Sequence, residues 1–492
     1  MGIECSMNLY NDLSLHLDLY EINMMYTYWK NNIANKRAIF EYYFRKMPFG
    51  NGYAIFNGLT HLLYYINNIN FNEEDINFLK LNFHYSNDFL NYLLNFHFEC
   101  TLRSLPEGSV VFSNEPLVQV EGPLIQAQML ETILLNILNY QILVSTKAAR
   151  IKHVAKKDLL LEFGTRQAQE MDASIWGARA AYISGFNGTS NIRAGKIFDI
   201  PIYGTHAHSL VQAYKDDYKA FKAYANTHYN CVFLIDTFDV FKSGLPAAIK
   251  VAKEMGNKIS FNGVRIDSGD LAYTSKKIRF ILNDAGFYDT KIYASGDLDE
   301  NVIQSLKEQN SPIDAWGIGT KLITSYDQPA LGGVYKLVAI EGDNKKLCDT
   351  IKISGTTSKT TIPGKKQIWR IINKKSGKLE GDYITDYNDN VYDKSSIYMF
   401  HPNDSYLNKT VTNFIAIPLL LPIVINGNMN YDFLSLDETR SFSKKQLSLL
   451  WNEYKRNLNP QYYPVDFSND LIERKKNCMN LIHSDLSDDY LN

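Results

Sequence analysis

The spacing of apolar positions changes character along the chain, and each change marks a different kind of element. Over residues 8–30, Leu13, Leu17, Tyr20, Met24 and Tyr28 recur at helical spacing, which predicts a helix with a core-facing stripe. Residues 38–60 are strand-like, broken by a turn at Phe49-Gly50-Asn51-Gly52. An aromatic-rich helix is predicted over 73–101, a strand–turn–strand over 108–121, and a helix over 124–155 that carries Lys147, Arg150 and Lys152 near its end. From 159 onward, short apolar runs alternate with amphipathic helical stretches. Strands are predicted at 159–163, 200–204, 232–236, 259–266, 291–295, 314–317 and 334–339, from 200 on about 20–30 residues apart, close to one strand plus a crossover helix. Such repetition predicts a parallel α/β barrel with an irregular unit or two. Beyond about 345 the chain turns loop-rich: basic and turn-forming then strand-like over 353–370, polar surface hairpins over 375–395, and a helix over 443–458.

Composition narrows the class. With 492 residues the chain exceeds what one core usually serves, and 45% hydrophobic with 21% charged residues is ordinary for a globular protein. A formal net charge of −2 gives no electrostatic case for nucleic acid or an anionic membrane. Cys5, Cys100, Cys231, Cys348 and Cys478 are scattered, which fits a reducing cytosol better than a disulfide framework or a zinc knuckle. No secretory signal is visible, and the most apolar run, 414–425, is too short to span a bilayer and carries Pro418 and Pro422. A cytoplasmic protein is expected.

Candidate chemistry collects where predicted strands end. The segment 159–214 runs from a strand into Gly164-Thr165-Arg166, then a helix over 173–183 capped by Asp172, then the small-residue turn 185–191 that includes Ser190. It closes on Gly204-Thr205-His206-Ala207-His208-Ser209, where Ser209 and Gln212 form a capping-box pattern and place a helix start at Ser209. His208 would sit just ahead of that helix, where unpaired N–H groups favour an anion, so it could hold or accept a phosphoryl group or merely bond the turn. Later strands end in Asp236, in Arg265 with Asp267-Ser268-Gly269-Asp270, in Ser295-Gly296-Asp297, and in Gly317-Ile318-Gly319-Thr320. Any one acid reads as a helix cap. Together they describe a sugar, metal and phosphate site on one face of a barrel. Walker, Rossmann, HExxH and GxSxG patterns are absent, and His206-Ala207-His208 has no third ligand nearby in sequence.

These segments resemble the nicotinate phosphoribosyltransferase family. LEFGTRQAQ (161–169), GARAAYISGFNGTSN (177–191), AGKIFDIPIYGTHAHS (194–209), GVRIDSGDL (263–271), WGIGTKLIT (316–324) and GGVYKLVAI (332–340) stand in the family's order. DLYEINMMYTYW (18–29) and YYFRKMPFGNGYAIFNGL (42–59) match its opening, PGKKQIWR (363–370) and NPQYYPVDFS (459–468) its closing part. The resemblance implies an irregular (β/α) barrel of the type II phosphoribosyltransferase kind over 151–344. It implies also a mixed α+β domain built from 1–150 together with 345–492. It further implies transfer of a phosphoribosyl group from phosphoribosyl pyrophosphate to nicotinate, coupled to ATP hydrolysis, with Mg²⁺ (or Mn²⁺) and a homodimer whose active sites lie at the interface.

Residue by residue, the resemblance makes His208 the phosphohistidine, Arg265 and Asp267 its catalytic companions, and Thr205 a nicotinate contact. Tyr20 would stack on the pyridine ring from the partner subunit, and Arg166 would serve its carboxylate. Ser190, Lys147, Arg150, Gly296, Asp297, Gly317, Gly319, Thr320 and Thr324 complete the expected substrate contacts, with Asp267 or Asp270 as candidates near the metal. One departure is Gln167, where the family often has a second arginine. A nicotinamide-using enzyme of the same fold and an inactive scaffold are the alternatives, opposed by the carboxylate-compatible residues and by the intact His208, Arg265 and Asp267.

Overall fold

The computed structural model describes residues 13–353, 360–402, 404 and 406–489. Cys5, the first part of the helix expected over 8–30 and the middle of the basic stretch 353–370 lie outside them. The chain divides into two compact units. One comprises the chain up to Ile142, Ala330–Ser435 and the chain from Lys445 on; the other comprises Leu143–Pro329 with Leu436–Lys444. The boundaries expected at 150 and 344 therefore differ from those observed, and a nine-residue return from the C-terminal part joins the second unit.

The first unit holds a seven-stranded antiparallel sheet, a six-stranded mixed sheet and a two-stranded pair. In the seven-stranded one, Arg37–Phe44 lies between Gly333–Glu341 and Val118–Pro123, both antiparallel to it. The strand expected at 334–339 thus exists but is no barrel strand. Tyr42 faces Tyr335 across an antiparallel ladder, a pairing that only the fold supplies. The helix near the N-terminus runs only over Leu19–Lys30, because Asp18 and Glu21 form a capping box that fixes its start. Its buried face is Glu21, Ile22 and Met25; Tyr20 is 42% exposed, so the alternative of a core aromatic fails. The stretch 73–101 breaks into Glu73–Asn82 and Asn87–Leu94.

The polar stretch 375–395 was expected at the surface. Instead Leu379–Asp386 is a mostly buried strand between Lys366–Asn373 and Val465–Phe467. Asp382 is buried there because the Arg370 Nε donates to it at 3.0 Å, so a charge that patterning reads as exposed is neutralised inside. The late helix spans Leu436–Leu449, beginning before the expected 443.

The second unit carries a six-stranded, all-parallel sheet. Its order is Gly188–Thr189, Leu159–Glu162, Ala315–Ile318, Lys291–Gly296, Ser260–Ile266, Asn230–Leu234. Strands buried on both faces favour apolar runs, which LLL at 159–161 and AWGI at 315–318 provide. The expected strand 200–204 shrinks to one parallel bridge between Thr189 and Ile202, since Pro201 has no N–H to extend a ladder. Gly188 is required at this crossing: a Cβ there would lie 2.3 Å from the Pro201 carbonyl oxygen. The sheet is a half-barrel rather than a closed ring of equal units.

Two helix starts also differ from expectation. The helix expected from 173 begins at Glu170, leaving Asp172 in its first turn rather than capping it. The helix expected from Ser209 begins at His208, after Ala207, without a side-chain cap. Among the described residues, no helix is long and apolar enough to cross a membrane.

Candidate active site

Every parallel strand of the second unit releases its chain toward the same mouth, as side chains at strand ends must in such a sheet. A cleft of about 1040 Å³ opens there. Of the residues singled out in the sequence, Arg166, Ser190, Thr205, His208, Arg265, Asp267, Gly296, Asp297, Gly317, Gly319 and Thr320 line it. They come from segments more than 150 residues apart, which the parallel topology gathers at one end.

At the centre, Arg265 Nη1 donates to Thr205 Oγ1 at 2.5 Å. Its Nε is buried without a hydrogen-bond partner, which leaves an unspent donor beside the cleft. Burial lowers the guanidinium from its ordinary value, while Asp267 and Asp236 act the other way; the group stays charged. Asp267 accepts from the Ser295 hydroxyl, and its own N–H donates to Asp236 Oδ2 at 2.8 Å. Ser268 Oγ donates to the same Asp236 oxygen at 2.7 Å.

His208 has two neighbours. Its Nδ1 lies 3.0 Å from Thr237 Oγ1, and its Nε2 lies 4.0 Å from Asp236 Oδ1, a buried oxygen without a hydrogen-bond partner. Asp236 was placed among the strand-end acids of the site but neither it nor Thr237 was given a role of its own. Only the fold shows that they meet a histidine 28 and 29 positions earlier in the chain. Glu162 was missed altogether. It is fully buried, accepts from Thr189 Oγ1 at 2.6 Å and from the Gly164 N–H, and burial pushes its carboxyl up to about 6. It thereby fixes the turn that presents Thr165 and Arg166, and its carbonyl accepts from Ser190 N at 2.9 Å.

The glycines are spacing devices. A Cβ on Gly317 would lie 2.5 Å from the Phe163 ring, and one on Gly296, at φ +112°, would lie 2.9 Å from the Asp267 carbonyl oxygen. Gln167 lines the cleft beside Arg166.

His206 also borders the cleft, yet its chemistry is structural. Its Nε2 accepts from the Leu234 backbone N–H at 3.1 Å, which leaves the proton on Nδ1, 3.3 Å from the Ala207 carbonyl oxygen. Burial among Phe221, Tyr224 and Phe233 lowers its pKa to about 4, so it is neutral at pH 7. It does not pair with His208 on a metal, and no group of three potential ligands stands together among the described residues.

Five expected contacts are elsewhere. Tyr20 belongs to the first unit. Lys147 and Arg150 do not line the cleft but share the buried carboxylate of Glu300. Thr324 Oγ1 donates to the Thr320 carbonyl at 2.7 Å, closing a short helix. Asp270 lies outside the cleft lining and caps the helix Leu271–Asp284 through Tyr273 N at 3.0 Å.

A parallel half-barrel with cations, acids and close-packed glycines at its strand ends, flanked by N- and C-terminal domains, is the architecture of the type II phosphoribosyltransferases. The crystal structure of human nicotinic acid phosphoribosyltransferase superposes with a TM-score of 0.83 at 29% identity, covering 94% of this chain and 99% of that one. Residues 15–139 match the nicotinate phosphoribosyltransferase N-terminal domain, 159–386 the nicotinate phosphoribosyltransferase family and 365–475 its C-terminal domain. The nicotinate phosphoribosyltransferase of Bacillus subtilis is 53% identical over 97% of this chain and 98% of its own length; that of Homo sapiens is 30% identical over 92% and 94%. The chain belongs to the nicotinate phosphoribosyltransferase family.

Proposed function

We propose that the protein transfers the 5-phosphoribosyl group of phosphoribosyl pyrophosphate to nicotinate, giving nicotinate mononucleotide and pyrophosphate in the first step of NAD salvage from nicotinate. The transfer is coupled to ATP hydrolysis through a phosphohistidine at His208. The observation that carries this reading is the convergence of Arg265, Thr205 and His208 with the Gly296 and Gly319 turns on one cleft.

The pyridine nitrogen brings its own lone pair to C1 of the sugar as the bond from C1 to the pyrophosphate oxygen breaks. No proton is removed, so no general base is required. Arg265 and Arg166 hold the nicotinate carboxylate, with Thr205 oriented by its bond to Arg265. The turns at Gly296-Asp297 and Gly317 to Thr320 cradle the ribose and its 5′-phosphate. Tyr20, exposed on its own unit, stacks on the pyridine ring of the partner's site in a homodimer. Asp236 and Thr237 hold the His208 ring, and phosphorylation there favours the form that binds phosphoribosyl pyrophosphate.

The donor set suits Mg²⁺ (or Mn²⁺) carried by substrate phosphates rather than an all-protein cage, because Asp267, bonded to a serine hydroxyl, and Asp297 are the carboxylates that line the cleft among the described residues. Such an ion would be held by Asp267 and would neutralise charge on the departing pyrophosphate. The enzyme acts in the cytoplasm. Nicotinate mononucleotide formation from nicotinate, phosphoribosyl pyrophosphate, Mg²⁺ and ATP, compared between wild type and His208→Ala, tests the reading. Acid-labile phosphate on the wild type and a slower variant are expected. Absence of product from the wild type refutes the transfer, and absence of labile phosphate refutes the coupling.

A further inference from the structure

The two turns that line the cleft beside each other are also joined from behind. Gly296-Asp297 leads directly into Asp299, whose Oδ1 caps the helix Glu300–Glu308 through Val302 N at 2.8 Å. Gly319-Thr320 opens the short helix Thr320–Ile323 and the turn that reaches Asp327. Lys321 Nζ donates to Asp299 Oδ2 at 2.9 Å, tying the second turn to the first. Deeper, the fully buried Lys147 ammonium lies 2.8 Å from Glu300 Oε2 and also binds Asp327. Arg150 Nε donates to Glu300 Oε1 at 2.7 Å.

Three cations and three carboxylates therefore close a balanced cluster behind both turns. Lys147 and Arg150 stand one helical turn apart on the rigid helix Glu131–Ala155, so they offer a fixed reference to which both turns are pinned. A buried ion pair adds little net stability over well-packed apolar side chains, but it dictates where its partners sit. The turns need that direction: Gly296 holds φ +112° and Gly319 lies at φ −114°, ψ −97°, conformations the local sequence does not enforce.

We propose that Lys147, Arg150 and Lys321 are positioning residues that register the two cleft turns against each other, and through them the phosphoribosyl group rather than the pyridine. This rests on the reaction proposed above. None of the three is among the residues that line the cleft, so each is assigned to act through the turns.

The test uses Lys147→Met and the gentler Lys321→Met, whose side chain is only a quarter exposed but lies outside the deep core. Steady-state kinetics with both substrates would be read beside the melting temperature. KM for phosphoribosyl pyrophosphate is expected to rise by about tenfold or more in each variant, with KM for nicotinate within about twofold of wild type, since displacements of about 1 Å cost up to about a hundredfold. Conservative Lys147→Arg should recover part of the loss. Unchanged KM for phosphoribosyl pyrophosphate in a folded Lys321→Met protein, or equal movement of both KM values, overturns the positioning role. A wild-type protein without turnover overturns the reaction instead. Calorimetric binding of ribose 5-phosphate then decides positioning alone: weaker binding by the variants supports it, equal binding refutes it.

Discussion

Asp236 turns one carboxylate oxygen to the Asp267 backbone and the Ser268 hydroxyl and leaves the other, buried and without a hydrogen-bond partner, 4.0 Å from His208 Nε2. A carboxylate held this way is a fixed charge. It orients the imidazole. Asp236→Asn keeps the shape and removes the charge. Phosphate incorporation at His208 from labelled ATP should fall by about tenfold or more, while ATP-independent transfer changes less. Equal loss of both would show that Asp236 acts on the transfer itself.

Arg265 and Thr205 form one unit. Replacing the guanidinium by an ammonium in Arg265→Lys removes the planar fork and the 2.5 Å bond to the threonine. A drop of about a hundredfold in kcat/KM for nicotinate is expected, corresponding to roughly 2–3 kcal/mol for a charge-assisted hydrogen bond. Thr205→Val should cost about fivefold, near 1 kcal/mol. For the wild type, nicotinamide should be far the poorer substrate, because it cannot answer the charge of Arg265. Comparable kcat/KM values for the two would refute the role given to that arginine.

Gly317 tests the packing of the cleft floor. The alanine methyl in Gly317→Ala would meet the Phe163 ring at 2.5 Å, so ring or strand must move. Thermal denaturation should show a loss of about 1–3 kcal/mol, with raised KM for phosphoribosyl pyrophosphate.

His206 makes stability depend on pH. Its pKa in the fold is about 4 against an ordinary 6.5, because burial opposes the charged form. Between those values the unfolded chain takes up a proton that the folded chain refuses, so stability falls as pH drops through that window, by up to roughly 3 kcal/mol. In His206→Phe this contribution is absent. The variant should be less stable than wild type at pH 7, by about 1–3 kcal/mol for the stranded Leu234 N–H, and the gap should narrow toward pH 4.5. A constant gap would mean that His206 is not the titrating group.

Tyr20 is proposed above to reach the partner's site. Its ring is 42% exposed on the helix Leu19–Lys30, whose core contacts are made by Ile22 and Met25. Tyr20→Ala should leave the melting temperature within about a degree or two, as surface changes usually do, while raising KM for nicotinate. Mixing this variant with the slower His208→Ala protein should restore one site of wild-type rate and nicotinate KM per heterodimer if the tyrosine is supplied by the partner, and none if it is not.

Sequence alone determined what depends on neighbours along the chain. The strand-like runs at 159–163, 232–236, 259–266, 291–295 and 314–317 predict parallel strands, and the acids, glycines and arginines at or near their ends mark one functional face. That follows from topology, because consecutive βα units must release their loops at the same end. The resemblance carried the reaction class. Only tertiary structure decided which polar groups meet which. Strand 333–341 joined an antiparallel sheet because Arg37–Phe44 offered a ladder from almost 300 residues away. Lys147 and Arg150 meet at Glu300 because burial obliges a charge to find a partner. His206 became a neutral acceptor and its near neighbour His208 a ring held by Thr237 and Asp236, and no local pattern distinguishes the two. Period and spacing are local properties, whereas partnership across the half-barrel is set by the sheet order.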